Sequence, residues 1–441
     1  MNREPDDHAA ARQPTRAAAA AFVGTTIEWY DFYIYATASA LIFGKLFFPG
    51  SDPFFATLAS FGTFAVGFFA RPFGGLVFGH LGDRIGRKKA LVATLAIMGV
   101  GTVGIGFLPT YASAGVWAPV LLVLLRVAQG IAIGGEWGGE WGGAVLMASE
   151  HAPQGKRTFF ASFAQLGSPA GLILSLIAFR AVASMDKDAF LSWGWRLPFL
   201  ASALLLVVGL LIRVGVDESP EFKALKAQRG VAALPVAEVV RDAWRTLLLC
   251  LGANVIGVAG AWFVNTFMLN YTTQTLGLDR SLILDCLFVV AFIQLFTQLG
   301  SGWFAQRIGT GRFLKGAAAL AMLSPYPMFA LVSTGRPLAI VIGIALAVMC
   351  MSSSYAVMAG FMSTAFPVRV RYSAISLSYQ VCAALAGGLT PLIGTVLAHR
   401  YPGAWWPLAV FYSVLAGISL VCIGTLERRK QGTTQAVVEA A

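Results

Sequence analysis

Charge is what this chain has least of. Only 12% of its 441 residues are Asp, Glu, Lys or Arg, against roughly 25% in a soluble domain. A water-facing surface cannot be built at that density, which excludes a soluble globular protein. Histidine is scarce too. The four present lie in the N-terminal stretch or near the ends of apolar runs, so no metal site is expected. The five cysteines (Cys250, Cys286, Cys350, Cys382 and Cys422) stand singly inside apolar runs with no CxxC pair. Each reads as a small packing residue, and neither a disulfide framework nor a thiol redox motif is expected. Polar stretches long enough for a soluble catalytic domain are also missing, so neither an enzyme nor a bound cofactor is expected. The opening "MNREPDDHAAARQPTRAAAAAF" carries acids and lacks a small-residue cleavage site; it reads as a short polar tail and not as a signal peptide.

What the chain does have is apolar sequence. Hydrophobic residues make up 57% of it and the mean hydropathy is +0.72. Runs of about 20 apolar residues, the length that spans a bilayer, number twelve: 18–46, 55–79, 90–109, 117–147, 158–184, 197–216, 246–273, 283–305, 313–333, 337–362, 373–397 and 405–426. The expected fold is an all-α polytopic membrane protein of twelve transmembrane helices. Its divisions are a tail over 1–17, a first half over 18–216, a polar linker over 217–245, a second half over 246–426 and a tail over 427–441. The net charge of +11 raises nucleic acid as a partner, but its distribution points elsewhere. With the N-terminus cytoplasmic, only Lys45, Lys187, Arg196, Arg280, Arg336 and Arg400 of the 32 basic residues fall outside, and Arg71, Arg126, Arg180 and Arg213 fall within spans. That asymmetry is the positive-inside pattern, and it places both termini in the cytoplasm. The expected setting is the inner membrane, and a monomer is expected.

The two halves are related. "GHLGDRIGRKK" (Gly79 to Lys89) follows the second span, and "GWFAQRIGTGR" (Gly302 to Arg312) follows the eighth. Both keep the glycine, the Arg-Ile-Gly and a trailing base, half a chain apart. Two six-helix halves in parallel repeat are the architecture of a secondary transporter, whose site lies near mid-membrane between the halves.

The motifs also carry a family resemblance. "GHLGDRIGRKK" and "RVAQG" (Arg126 to Gly130) resemble signatures of the major facilitator superfamily. "EWYDFYIYATASALIFGKLFFP", "FARPFGGLVFGHLGDRIGRKK", "GGEWGGAVLMASE", "WGWRLPF", "ESPEF" and "FPVRVRYSAISLSYQ" together resemble its metabolite:proton symporter family, over residues 20–426. The resemblance implies the major facilitator fold and proton-driven uptake of a small organic acid or a zwitterionic osmolyte. The leading expectation is therefore a proton-coupled importer of a small organic acid, with protons and that solute as partners. A proline- or betaine-type symporter is the first alternative. Proton-driven efflux follows, because "GSPAG" (167–171) is a fragment of an antiporter pattern, and then an uncoupled facilitator or sensor.

Ionisable groups at membrane depth are costly unless paired or facing water, which makes them the first candidates for function. Glu28 and Asp31 lie three apart on the first span, with Tyr30 and Tyr33 beside them as phenol donors. A carboxylate that gains and loses a proton as its surroundings change is what proton coupling needs. Arg126 cannot lose its charge, so it binds an anion or counters such a carboxylate; the resemblance implies proton transfer or substrate charge for it. Arg71 adjoins Pro72 and is assigned to the carbonyls that the proline frees. Gln165, Trp262, Asn265, Gln294, Tyr379 and Gln380 are candidate substrate contacts, with Asn254, Gln298 and Tyr355 as further polar residues in spans. The resemblance also implies a cytoplasmic gate of salt bridges built from Asp83, Arg84, Arg87, Glu150 and Glu218. Gln306 replaces the acid in the second copy of the loop motif, which predicts a weaker latch in that half.

"GGEWGGEWGG" (134–143) writes a family motif twice and sets Glu136 and Glu140 one helical turn apart. Two carboxylates so close in a low dielectric do not both ionise. One is read as the proton-coupling member opposite Arg126, with Glu136 preferred over Glu140, and the other as a passenger. Glutamine at one of the two positions should then abolish proton-driven uptake and at the other leave it, and deleting residues 138–141 should leave transport intact. Equal loss from both substitutions in an uptake assay refutes the passenger.

Overall fold

The computed structural model describes residues 7–50, 52–85, 87–136, 166–214, 235–366 and 371–439. Helix accounts for all the regular structure among them. Twelve rods follow the apolar runs: α1 (Asp7–Leu41), α2 (Pro53–Ile85), α3 (Arg87–Phe107), α4 (Trp117–Glu136), α5 (Gly167–Ala183), α6 (Leu197–Val214), α7 (from Trp244–Trp262 on to Thr275), α8 (Arg280–Ile308), α9 (Thr310–Leu323 and Pro325–Val332), α10 (Pro337–Ser363), α11 (from Arg371–Cys382 on to Arg400) and α12 (Trp406–Glu439). Among the described residues eight helices are long and apolar enough to cross a membrane, and α9, bent by 40° where Pro325 interrupts it, makes a ninth. The shorter apolar α3 and α5, and α1 with Glu28 and Asp31 inside its apolar run, complete the set. Glu140, Glu150, Gln165 and Glu218 lie outside the described residues. Asp83 and Arg84 end α2, Arg87 opens α3 and Glu136 closes α4, but their side chains are outside the description.

Local chemistry sets the ends. Asp279 caps α8: its carboxylate accepts from the backbone N–H groups of Ser281 (2.8 Å) and Leu282 (3.1 Å), and those bonds hold its carboxyl below the usual range. Pro337 starts α10 where no amide donor is needed. Gly309, at φ 91°, turns the chain between α8 and α9 in a conformation that side chains disfavour.

Helices α1 to α6 pack on one another, as do α7 to α12, and the halves meet along α5 with α8, α2 with α11, and α1 with α7. The α5–α8 and α2–α11 contacts are equivalent under the repeat, because α5 corresponds to α11 and α8 to α2. This is the two-half arrangement that the paired loop motifs predict. In hydrocarbon, helices associate through close van der Waals packing, and small residues permit it. The closest approach is between α2 and α4. A Cβ added at Gly130 would run into the carbonyl of Gly67, one at Gly134 into that of Arg71, and one at Gly74 into that of Ile131. Gly134 opens the doubled motif, and this first glycine of it is packed against α2.

Gly134→Ala should force α4 away from α2 and lower stability by about 1–3 kcal/mol, the usual range for overpacking. Gly104→Ala is the control, since its new methyl meets the Leu125 side chain only at 3.4 Å. Thermal melts of the purified protein in detergent check the contrast.

Candidate functional site

The first-span acids diverge. Three residues on a helix are 300° of rotation, so two side chains at that spacing point about 60° apart. Asp31 turns into the first half, where Ser202 of α6 donates its hydroxyl to Oδ1 (2.8 Å) and Thr102 of α3 donates to Oδ2 (2.9 Å). Gln129 of α4 donates from Nε2 to the Thr102 oxygen (2.7 Å), and Arg126 points Nη1 at the Gln129 carbonyl oxygen (3.4 Å). Glu28, also buried, bears electrostatically instead on Arg71 and on the phenols of Tyr355 and Tyr379 across the interface. The expected acid pair is therefore two separate sites, one inside a half and one between halves.

Both buried guanidinium groups are held largely by aromatic faces. Arg126, 1% exposed, lies 4.1 Å from the ring centre of Tyr35 and 5.1 Å from that of Phe32. Its Nε and Nη2 have no hydrogen-bond partner among the described residues. Arg71, also 1% exposed, sits 4.3 Å from Phe32 on one side and 4.1 Å from Phe68 on the other. Cation–π contacts of this kind are worth more when desolvated. Besides the carbonyls freed by Pro72, to which the sequence assigns it, Arg71 has Tyr379, Glu28 and Tyr355 as electrostatic neighbours. The ring sequence around it, "FARPF", carried no period that would have placed it there.

The interface centres on Trp262 of α7. Its ring lies 5.0 Å from Phe64, 5.4 Å from Tyr33 and from Phe68, and 6.0 Å from Trp29, on which it stacks. Gly387 of α11 leaves the room: a Cβ there would come within 3.1 Å of the indole. Trp262 stands just before a π-helical turn (Phe263–Phe267), and Gly387 ends another (Ala383–Gly387). Such turns are rare, and they re-aim side chains at functional positions.

Beside this tryptophan is a cavity lined by Trp29, Ser168, Trp262, Gln294, Tyr355 and Tyr379. Its volume for the centre of a water molecule is 10 Å³, about one water. Of the sequence candidates, Trp262, Gln294 and Tyr379 line it. Tyr33 reaches its edge with its hydroxyl 3.4 Å from that of Ser168, and Asn265 lies 3.5 Å from Gln294. Tyr30 does not join them: its phenol donates to the carbonyl of Pro198 on α6 (2.7 Å). Gln380 is buried, and neither atom of its amide is hydrogen-bonded among the described residues. Arg126 stands behind the aromatic wall and not in the cavity lining. Trp29, Ser168 and Tyr355 also line it, beside the small and apolar Gly257, Val258, Ala261 and Met351. Only Tyr355 drew notice in the sequence, as a polar residue in a span.

One end of the bundle, away from the termini, is shut. Arg180 of α5 pairs with Asp285 of α8 (2.6 Å), and Arg280 donates to the carbonyls of Ala183 (3.1 Å) and Met185 (3.2 Å). Asn270 of α7 donates to the Ala40 carbonyl of α1 (3.1 Å), and the rings of Phe54 and His399 stack at 3.9 Å. Every one of these contacts joins the two halves.

The model of the family described as "Sugar (and other) transporter" matches residues 17–239. The chain belongs to that family, within the major facilitator superfamily. The shikimate transporter of Escherichia coli (strain K12) is 38% identical over 406 residues, 91% of each chain. A glycine betaine/proline/ectoine/pipecolic acid transporter of Dickeya dadantii (strain 3937) is 33% identical over 420 residues, 92% of this chain and 82% of that one. Among solved structures, a D-xylose-proton symporter superposes with a TM-score of 0.71 over 93% of this chain and 97% of its own, at 17% identity; that likeness concerns the fold. The chain is thus a multi-pass membrane transporter for small molecules and not an enzyme, and its halves enclose the cavity around Trp262.

Trp262→Ala should lower the stability of this transporter by about 3–5 kcal/mol, the usual range for emptying a buried aromatic site, while Trp262→Phe retains most of it. Melting temperatures of the two variants in detergent check the expectation.

Proposed function

We propose that this transporter is a proton-coupled symporter that imports a small organic acid by alternating access. The observation that carries the reading is the Asp31 carboxylate. It is buried at membrane depth, held by two hydroxyl donors and joined through neutral side chains to the permanent charge of Arg126. A carboxylate so placed responds to the opening and closing of the halves around it, which is what coupling a proton to transport requires. Glu28, facing Arg71 and two tyrosines across the interface, is the second proton-coupling candidate. Tyr33, Trp262, Asn265, Gln294 and Tyr379 are the substrate contacts supported by their place at the cavity; Arg126 meets an anionic solute only in a more open state.

The closed end carries Arg180, Arg280 and His399, and the positive-inside pattern of the sequence supports an outer position for it. The proposed cycle therefore includes an outward-closed form with a collapsed cavity. Both termini then lie in the cytoplasm of an inner membrane, the halves divide at the polar stretch 217–245, and one chain is the working unit. Asp83, Arg84, Arg87, Glu150 and Glu218 remain the proposed cytoplasmic gate.

A second reading, a symporter of a betaine- or proline-type zwitterion, is favoured by one observation. Trp29, Trp262, Tyr355 and Tyr379 give the cavity four aromatic rings, and no charged side chain lines it. That composition suits a quaternary or secondary ammonium group.

Proteoliposomes with an acid exterior, offered radiolabelled shikimate, proline or glycine betaine, test both readings. Saturable accumulation of shikimate, collapsed by a protonophore, is expected. Asp31→Asn should lose accumulation and keep solute exchange. Accumulation of glycine betaine or proline in its place selects the second reading. Movement of solute towards the acid side, or flux indifferent to the gradient, overturns symport.

A further inference from the structure

The bonds leading to Asp31 share one direction. Arg126 donates to Gln129, Gln129 to Thr102, and Thr102 to the carboxylate. A chain of donors ending on an acceptor fits the ionised acid, because an ionised carboxylate accepts only. Thr102 also has a second acceptor within reach: the Met98 carbonyl, 3.0 Å from its hydroxyl and one turn earlier on α3. A threonine hydroxyl has one hydrogen and two lone pairs. It therefore serves Oδ2 or Met98, but not both fully at once.

We propose that Thr102 is a two-position switch that reads the protonation state of Asp31, with Gln129 as the positioning residue that links it to Arg126. The inference rests on Asp31 being the carboxyl that takes up the transported proton. In the ionised state Thr102 donates to Oδ2 and accepts from Gln129. When a proton bonds to Oδ2, the acid becomes a donor. Thr102 then turns its hydrogen to the Met98 carbonyl and accepts from both the Asp31 O–H and the Gln129 amide. Every polar atom of the three groups keeps a partner in both states, and Ser202 continues to donate to Oδ1. Loss of the proton reverses the turn. No bond other than the carboxyl O–H is made or broken, and no side chain needs to change its rotamer beyond the hydroxyl.

The surroundings are cut to fit this chain. A Cβ on Gly101, next to Thr102, would stand 2.9 Å from the Gln129 side chain, and one on Gly67 would stand 2.5 Å from Nε of Arg126. Thr102, Gln129 and Ser202 are all at most 1% exposed, so water does not compete within the network. Among the described residues, the ionisable groups that bear on it are few. Arg126 on α4 has Tyr35 of α1 and Arg71 of α2 as its ionisable neighbours, and Tyr30 and Glu28 share α1 with Asp31. The faces that α3 and α6 present to Asp31 offer the Thr102 and Ser202 hydroxyls. The one charged residue of α5, Arg180, and the phenol of Tyr271 on α7 lie at the closed end.

Infrared difference spectra of the full-length protein in proteoliposomes, recorded against pH, test the switch without any substrate. The carboxyl C=O band of Asp31 is identified by its loss in Asp31→Asn. Thr102→Val removes one of two hydroxyl donors to the ionised form, so the midpoint of that band should rise by about one pH unit, a tenfold change in proton affinity. Thr102→Ser should restore the original midpoint. Gln129→Leu acts through Thr102, so combining it with Thr102→Val should add nothing further. Thr102→Ala gives the same readout if the valine variant fails to assemble. An unchanged midpoint on loss of the hydroxyl, a shift that serine does not reverse, or the absence of any Asp31-dependent band overturns the switch. If these shifts appear while no solute is taken up on a proton gradient, the switch is supported and the symport reading is the one that fails.

Discussion

Two carboxylates and two guanidinium groups stand where the surrounding medium is hydrocarbon, and the inner architecture is arranged around making that tolerable. An isolated charge at such depth is expensive, and the expense is removed only by partners or by water. Here the partners are two neutral hydroxyls for Asp31, one of them bonded in turn to the Gln129 amide, and ring faces for Arg71 and Arg126. None of them cancels charge outright, as a direct ion pair would. The acid and its arginine thus remain separate and adjustable, coupled through side chains that can re-orient.

That arrangement also separates two tasks in space. The Asp31 network lies within the first half, between α1, α3, α4 and α6. The cavity lies between the halves, with Trp262 of α7 set among rings of α1 and α2. Phe32 connects the two regions, packing against both arginines and against Trp262. A change of charge inside the first half is therefore one ring away from the surface on which the second half rests. At the closed end, Arg180–Asp285 and the Arg280 contacts hold α5 against α8 through groups at the rim. Such contacts are individually weak in water, which suits an end that must open.

Much of the fold was legible in order and composition. Twelve apolar runs became twelve rods, and the repeated loop motif anticipated two related halves. Part of the site was legible as well. Arg126, Asp31, Trp262, Gln294 and Tyr379 are of residue types that rarely enter a membrane interior without reason, and all are buried at the centre. Gln129 carried a faint signal, three residues beyond Arg126 on the same helix. Thr102, Ser202 and Ser168 carried none, since a hydroxyl in an apolar helix ordinarily bonds its own backbone. Tyr30 looked equivalent to Tyr33 in the sequence, yet one serves the Pro198 carbonyl and the other faces the cavity edge.

The sequence by itself determined how many times the chain crosses the bilayer, which residues pay for charge at depth and that the second half repeats the first. Those properties depend on local hydropathy, charge and spacing, all of which are written in order along the chain. Only the tertiary structure decided that Glu28 and Asp31 belong to different sites, that Arg71 lies against the rings of Phe32 and Phe68, and that two π-helical turns and Gly387 set Trp262 in the interface. These outcomes depend on which helix lies alongside which, and at what rotation. A side chain 60° further round the same helix meets a different neighbour, and no local pattern records who that neighbour is.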